Sequence, residues 1–169
     1  MMSHQHHEPV LPEFPCLSAL VRHEGGNDAV RLAVGLDMVA LSRIEDSLRT
    51  FGDRFLVRIF TEAEQAYAEA APAHRLDRLG ARFAAKEAAL KALGLADQGV
   101  GWPDIEVVRD AAGACTLALH GLAGELTRRG GLVDTALSLS HEGGFAAAIV
   151  VARFQARGGV LAPAAGPSN

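Results

Sequence analysis

Cysteine is nearly absent from this 169-residue chain: Cys16 and Cys115 are its two, and no CxxC pair or Cys/His cluster accompanies them. That argues against a disulfide framework and against a structural zinc site, and a reducing, cytoplasmic setting is expected. Aromatic residues are scarce at 5%, so the core is expected to be aliphatic. Apolar runs fall short of the roughly 18–20 residues needed to cross a bilayer. The opening stretch Met1–Glu8 has neither the basic nor the apolar segment of a signal peptide. Basic excess is missing too: 16 Lys and Arg face 20 Asp and Glu, a net of -4. A dedicated nucleic-acid binder normally carries the opposite balance, although a local basic patch remains open.

What is present suits one domain. Apolar types make up 49% and charged types 21%, ordinary for a folded soluble chain. Residues 1–28 mix His, Pro, Glu and Gly without a period and read as a flexible leader, whose His4, His6 and His7 are expected to be solvated. Residues 155–169, with Gly158, Gly159, Pro163 and Pro167, read as a flexible tail. The folded unit is then 29–154. Val30–Ala40 reads as a strand, and 42–58 as helical with a break near Gly52. Thr61 with Glu64 three residues on forms a capping box opening a short helix, which Pro72 ends. Residues 74–93 form the longest helix, stopped by Gly94. Strands are expected at 105–109, 115–119, 134–141 and 145–154, with a short helix at 121–129. The two hairpins, turning at Asp110-Ala111-Ala112-Gly113 and at Glu142-Gly143-Gly144, imply an antiparallel sheet with helices on one face, an α+β class: one long and several short helices against a small sheet.

Two carboxylates stand where burial would penalise them. At ~100° per residue, Leu76, Leu79, Phe83, Leu90 and Leu93 share a stripe of the long helix, and Glu87 falls about 40° from Phe83. Such a carboxylate must be paired, metal-bound or protonated. Lys91, four residues later, offers a simple helix-surface pair as the alternative. Asp37 shares a strand face with Ala33, Gly35 and Val39, small residues that leave room for a ligand; capping of the next helix is the competing role. Together, one carboxylate from a strand and one from a helix suit a hard cation such as Mg²⁺, with water and phosphate oxygens completing its shell. Arg75, Arg78, Arg82, Lys86 and Lys91 lie along the same helix, and Leu137-Ser138-Leu139-Ser140-His141 puts a hydroxyl and an imidazole at a strand end, where phosphate could bind. Ser140 and His141 are adjacent, hence on opposite strand faces, which counts against a hydrolytic dyad.

Val34-Gly35-Leu36-Asp37, then a 50-residue interval to Glu87 within Arg82-Phe83-Ala84-Ala85-Lys86-Glu87-Ala88-Ala89-Leu90-Lys91-Ala92-Leu93-Gly94, closely resembles the holo-acyl-carrier-protein synthases, which are phosphopantetheinyl transferases. The resemblance runs on through Trp102-Pro103-Asp104 and Leu137-Ser138-Leu139-Ser140-His141, covering nearly all of 30–153. It implies transfer of 4′-phosphopantetheine from coenzyme A to a serine of an apo acyl carrier protein, releasing adenosine 3′,5′-bisphosphate. Asp37 and Glu87 would then hold Mg²⁺, and Lys91 would neutralise phosphate. Arg82, His141, Gly94 and, with a shift of register, Arg75 would lie along the coenzyme A site. Glu87, a water held by Asp37 or Glu87, and the His141–Glu142 corner are the candidate proton acceptors, Glu87 or its water being favoured. Arg43 would dock the acidic carrier, with Arg49 and Arg54 beside it, although Glu45, Asp46 and Asp53 are interleaved. Homotrimers with sites between subunits are implied as well. Leu95–Gly101 departs from the Thr-Gly-Ile-Gly loop common in such proteins. With so few aromatics, charge and backbone rather than stacking are expected to hold the nucleotide. Two other functions use the same residues: a Mg²⁺-dependent nucleotide phosphodiesterase, and a carrier-binding module without catalysis.

Overall fold

A computed structural model describes residues 21–22 and 30–155. The leader and tail expected at 1–28 and 155–169 lie outside the described residues, save Val21–Arg22 and Gln155. In chain order the elements are β1 (Val21–Arg22), β2 (Val30–Ala40), α1 (Leu41–Phe51), α2 (Asp53–Ile59), α3 (Glu62–Glu69), α4 (Arg75–Leu93), β3 (Ile105–Arg109), β4 (Cys115–Leu119), α5 (Gly121–Arg129), β5 (Leu132–Glu142) and β6 (Phe145–Gln155). Single 3₁₀ turns, Pro72–His74 and Trp102–Asp104, precede α4 and β3. Among the described residues no helix is long and apolar enough to cross a membrane.

The α+β class holds, but the expected single sheet is two. β1-β2-β6-β5 form one antiparallel sheet, while β3 and β4 pair only with each other. Both hairpins were legible from their turns. Their separation was not, because a turn fixes which strands are neighbours and says nothing of which sheet they join. Gly143 and Gly144, at φ 58° and 83°, supply the positive angles of the two-residue turn between β5 and β6.

α4 lies across β2 and β6 with an alanine face inward: Ala84, Ala85, Ala88, Ala89 and Ala92 are buried, as is Leu79. Of the expected core stripe Leu79 is buried, whereas Leu76, Phe83, Leu90 and Leu93 are only partly buried at its margin. Small residues win the core side because helix and sheet approach closely. A Cβ on Gly35 would sit 1.9 Å from the carbonyl oxygen of Ala88 and 2.8 Å from the amide nitrogen of Ala92. The space at Gly35 is therefore filled by α4 backbone, and is not the ligand space its small neighbours suggested. The helix ends in a Schellman turn, with Gly94 left-handed and the amide of Leu95 reaching the carbonyl of Leu90 at 2.9 Å.

α3 is tied to α4 from within. Thr61 and Glu64 form the expected capping box, and the Glu64 carboxylate also accepts from the Val107 amide at 3.0 Å and meets Lys86 Nζ at 2.8 Å. Both side chains of that pair are fully buried. Lys86 donates further to the carbonyls of Trp102 and Ile105.

Replacing Gly35 by Ala should cost about 3 kcal/mol, since backbone rather than a flexible side chain blocks the new methyl. Urea unfolding measures this; a loss within experimental error would show that α4 can move off the sheet without penalty.

Candidate active site

The close approach at Gly35 decides what faces Asp37. On β2 the alternating residues Ala33, Gly35 and Val39 are buried, so Asp37 points to the α4 side of the strand. α4 runs antiparallel to β2, with Ala88 and Ala92 over Gly35 and Gly80 beside Leu41. Glu87 and Lys91, one turn apart on α4, thereby come to Asp37. Lys91 Nζ donates to Asp37 Oδ1 at 2.8 Å and to the Leu36 carbonyl at 3.1 Å. The alternative of a simple Glu87–Lys91 helix pair is therefore not what forms: Lys91 bridges to the sheet. Glu87 has no hydrogen-bond partner among the described residues. Its carboxyl is pushed above the usual range by burial and, further, by the negative charge of Asp37, while Lys91 pulls the other way.

A carboxylate whose ionisation is opposed by burial and a like charge is relieved by a nearby cation. Among the described residues no group of three or more His, Cys, Asp or Glu gathers. A metal here would thus have two protein carboxylates and draw its other oxygens from water and substrate. That donor set suits Mg²⁺ and not zinc.

The second feature is a cavity of about 540 Å³ on the β5 side of α4, lined among others by His74, Arg78, Arg82, Arg109, Ser138 and His141. Arg82 and His141, read separately from the sequence, are brought together here, and Ser138 joins them. Arg82 is 3% exposed; burial lowers its proton affinity, and nearby Glu64 opposes that shift. Its Nε has no partner. Arg75 does not line the cavity: its Nε pairs with Glu69 at 2.5 Å, whereas Arg78, one helical turn on, does. Asp37, Glu87 and Lys91 do not line the cavity either, so one chain presents two separate features.

Gly94 lies at the end of α4 with open space around its Cα. Arg43 and Arg54 are exposed on α1 and α2, their guanidiniums without an ion-pair partner among the described residues, whereas Arg49 pairs with Asp46 at 2.6 Å. The interleaved acids thus neutralise Arg49. Phe51 and Val57, 54% and 67% exposed, accompany these arginines. Tyr67 and Arg109, both at the cavity, were missed by sequence reasoning. The available signal was that Tyr67 is the sole tyrosine of an aromatic-poor chain.

A family model described as the 4′-phosphopantetheinyl transferase superfamily matches residues 33–150. The holo-[acyl-carrier-protein] synthase of Gloeobacter violaceus is 48% identical over 117 residues, 69% of this chain and 89% of its own. Among solved structures, the ACPS-CoA complex of Chronobacterium ammoniagenes superposes with a TM-score of 0.65 at 29% identity, covering 74% of this chain and 98% of that one. The holo-[acyl-carrier-protein] synthase of Neisseria meningitidis gives 0.64 at 35% identity, covering 70% and 95%. By the family match across 33–150 and the identity to these synthases, this chain belongs to the holo-[acyl-carrier-protein] synthase family of the 4′-phosphopantetheinyl transferase superfamily.

Proposed function

We propose that this protein transfers 4′-phosphopantetheine from coenzyme A to a serine hydroxyl of an apo acyl carrier protein. The observation that carries this is the meeting of Asp37, Glu87 and Lys91 at the β2–α4 contact, in a chain whose relatives bear that activity in their names and include a complex with coenzyme A. The serine oxygen bonds to the pantetheine-side phosphorus of the diphosphate. The bond from that phosphorus to the bridging oxygen breaks, and adenosine 3′,5′-bisphosphate leaves. Glu87, or a water it holds, takes the serine proton. Lys91 exchanges Asp37 for phosphate oxygen and balances negative charge there. Asp37 and Glu87 would hold Mg²⁺, which supplies charge neutralisation on the diphosphate and its leaving group.

Arg82, Ser138 and His141 take the nucleotide end in their cavity. Because that cavity and the Asp37 cluster are separate on one chain, a site using both is assembled between copies. Leu36 and Ile149 stand directly opposite on neighbouring strands, 39% and 45% exposed, on the sheet face turned away from α4. This apolar face joins the copies into a homotrimer. Arg43 and Arg54 with Phe51 and Val57 dock the acidic carrier, charge giving encounter and the apolar pair giving contact. Cys115 as a free thiol suits a reducing cytoplasm, where coenzyme A and carriers are used.

Incubation with apo carrier, coenzyme A and Mg²⁺ should add one phosphopantetheinyl group by intact-mass measurement. A chelator should abolish this, and Glu87→Ala should lower the rate at least about 100-fold. Unmodified carriers of several types would overturn the assignment, and coenzyme A hydrolysis without any carrier would mark a phosphodiesterase instead.

Glu87 also binds its proton more tightly folded than unfolded, so its contribution to stability falls as pH rises through the raised folded value. Without divalent metal, Glu87→Gln should therefore melt higher than the parent at neutral pH, the difference closing in acid. Mg²⁺ should stabilise the parent alone. A lower melting temperature for the variant at every pH would show that the ionised carboxylate is a structural asset.

Light scattering should give three chains for the parent and one for Ile149→Glu, with transfer lost in the variant. A parent that is monomeric and active would overturn the shared site.

A further inference from the structure

None of the cavity's three guanidiniums pairs with a carboxylate among the described residues. Arg78 Nη1 donates to the Tyr67 carbonyl at 2.6 Å, and its guanidinium carbon lies 4.2 Å from the centroid of the Tyr67 ring. That of Arg82 lies 4.0 Å from the same centroid, and that of Arg109 5.7 Å from it. Arg109 Nη1 also donates to the Tyr67 hydroxyl oxygen. The one cavity-lining carboxylate, Asp77, faces His74 at 3.6 Å. One aromatic side chain thus gathers three cations around a single cavity.

A carboxylate would hold an arginine just as firmly, but would cancel its charge. The electron-rich face of a ring attracts a guanidinium without neutralising it. Tyr67 therefore places positive charge and leaves it available. Arg82 is the clearest case, being buried with an unpartnered Nε. Such a donor set, with Ser138 and His141 opposite, is matched by a doubly charged phosphate monoester with several acceptor oxygens.

We propose that Tyr67 is a positioning residue that sets the preference of this cavity for a nucleotide bearing a 3′-phosphate, through the arginines it holds. This rests on the transfer reaction above for the identity of the nucleotide, but the preference itself is measurable without transfer. Tyr67 touches no reacting atom; it acts through Arg78, Arg82 and Arg109.

The test uses the full chain, two probes and three variants. Adenosine 3′,5′-bisphosphate and adenosine 5′-monophosphate are titrated calorimetrically against parent, Tyr67→Leu, Tyr67→Phe and Arg109→Gln. Tyr67→Leu should weaken the bisphosphate about tenfold while changing the monophosphate about twofold or less. Tyr67→Phe, which keeps the ring, should retain most of the parent's preference. Arg109→Gln alters an exposed side chain and should weaken the bisphosphate about threefold, so the proposal stays testable should Tyr67→Leu fail to fold. In the transfer assay Tyr67→Leu should raise the KM for coenzyme A, leave that for 3′-dephospho-coenzyme A nearly unchanged, and hardly alter kcat. An unchanged bisphosphate preference in Tyr67→Leu or Arg109→Gln, or a Tyr67→Phe as weak as Tyr67→Leu, would overturn the role of the ring. A parent that modifies no carrier yet shows the predicted preference would remove the transfer reaction and still support this role for Tyr67.

Discussion

The buried ion pair of Glu64 and Lys86 is the contact on which both functional features depend. Its carboxylate receives Lys86 Nζ, the Val107 amide and, through the capping box, the Thr61 amide, at 2.8, 3.0 and 2.9 Å. It therefore pins α3, α4 and β3 to one another. Such a pair adds little net stability over a well-packed apolar substitute, but stranding one partner costs about 3–5 kcal/mol. Its use here is geometric. Tyr67 lies one turn beyond Glu64 on α3, and Glu87 follows Lys86 directly on α4, turned about 100° away. Fixing the pair fixes how the arginine platform and the metal-ligand candidate are aimed. Burial pushes the Lys86 ammonium down and Glu64 pulls it back, so this lysine is committed to the core and lost to phosphate.

Close packing supplies the second constraint. The alanine face of α4 and Gly35 bring helix backbone onto β2 with no room between them. Reactive groups can then project only from the rim of the contact, which is where Asp37, Glu87 and Lys91 meet. A larger residue at Gly35 would widen the gap and carry Lys91 away from Asp37. The same tightness half-buries Glu87 beside a like charge, a locally unfavourable arrangement that a cation would relieve. Fold stability and site chemistry pull in opposite directions at this one residue.

Much of this was legible in the sequence where a signal is local. Thr61 and Glu64 announced their cap, Gly94 its helix stop, and Gly143-Gly144 its turn, because each depends on a few neighbouring dihedral angles. Asp37 and Glu87 stood out because a carboxylate among apolar residues violates the pattern of its own element, and the family motif joined them across 50 residues. What stayed hidden was long-range. The stripe of large residues on α4 reached the core only at Leu79 and otherwise ran along its margin, since periodicity alone cannot tell that a nearby glycine makes small residues the better fit. Lys86 resembled its phosphate-binding neighbours, and only Glu64, 22 residues upstream, separates its role from theirs. Arg75 and Arg78 are one turn apart with equal chemistry; the position of Glu69 decides which one faces the cavity.

Positive charge is stored in two ways in this acidic chain, and the difference suits two tasks. At the β2–α4 contact Lys91 rests on Asp37, a neutral pair that an arriving phosphate and cation can divide between them without leaving either charge stranded. At the cavity the arginines rest on an aromatic face and on carbonyl oxygens, so nothing need be displaced before an anion binds. The first arrangement suits a centre where charge moves during reaction, since its groups exchange partners as bonds change. The second suits recognition, where a fixed field should discriminate one phosphate pattern from another. A count of -4 averages over both, and aromatic scarcity conceals that the single tyrosine holds arginines instead of a base. The cavity discriminates through charges that Tyr67 leaves uncancelled.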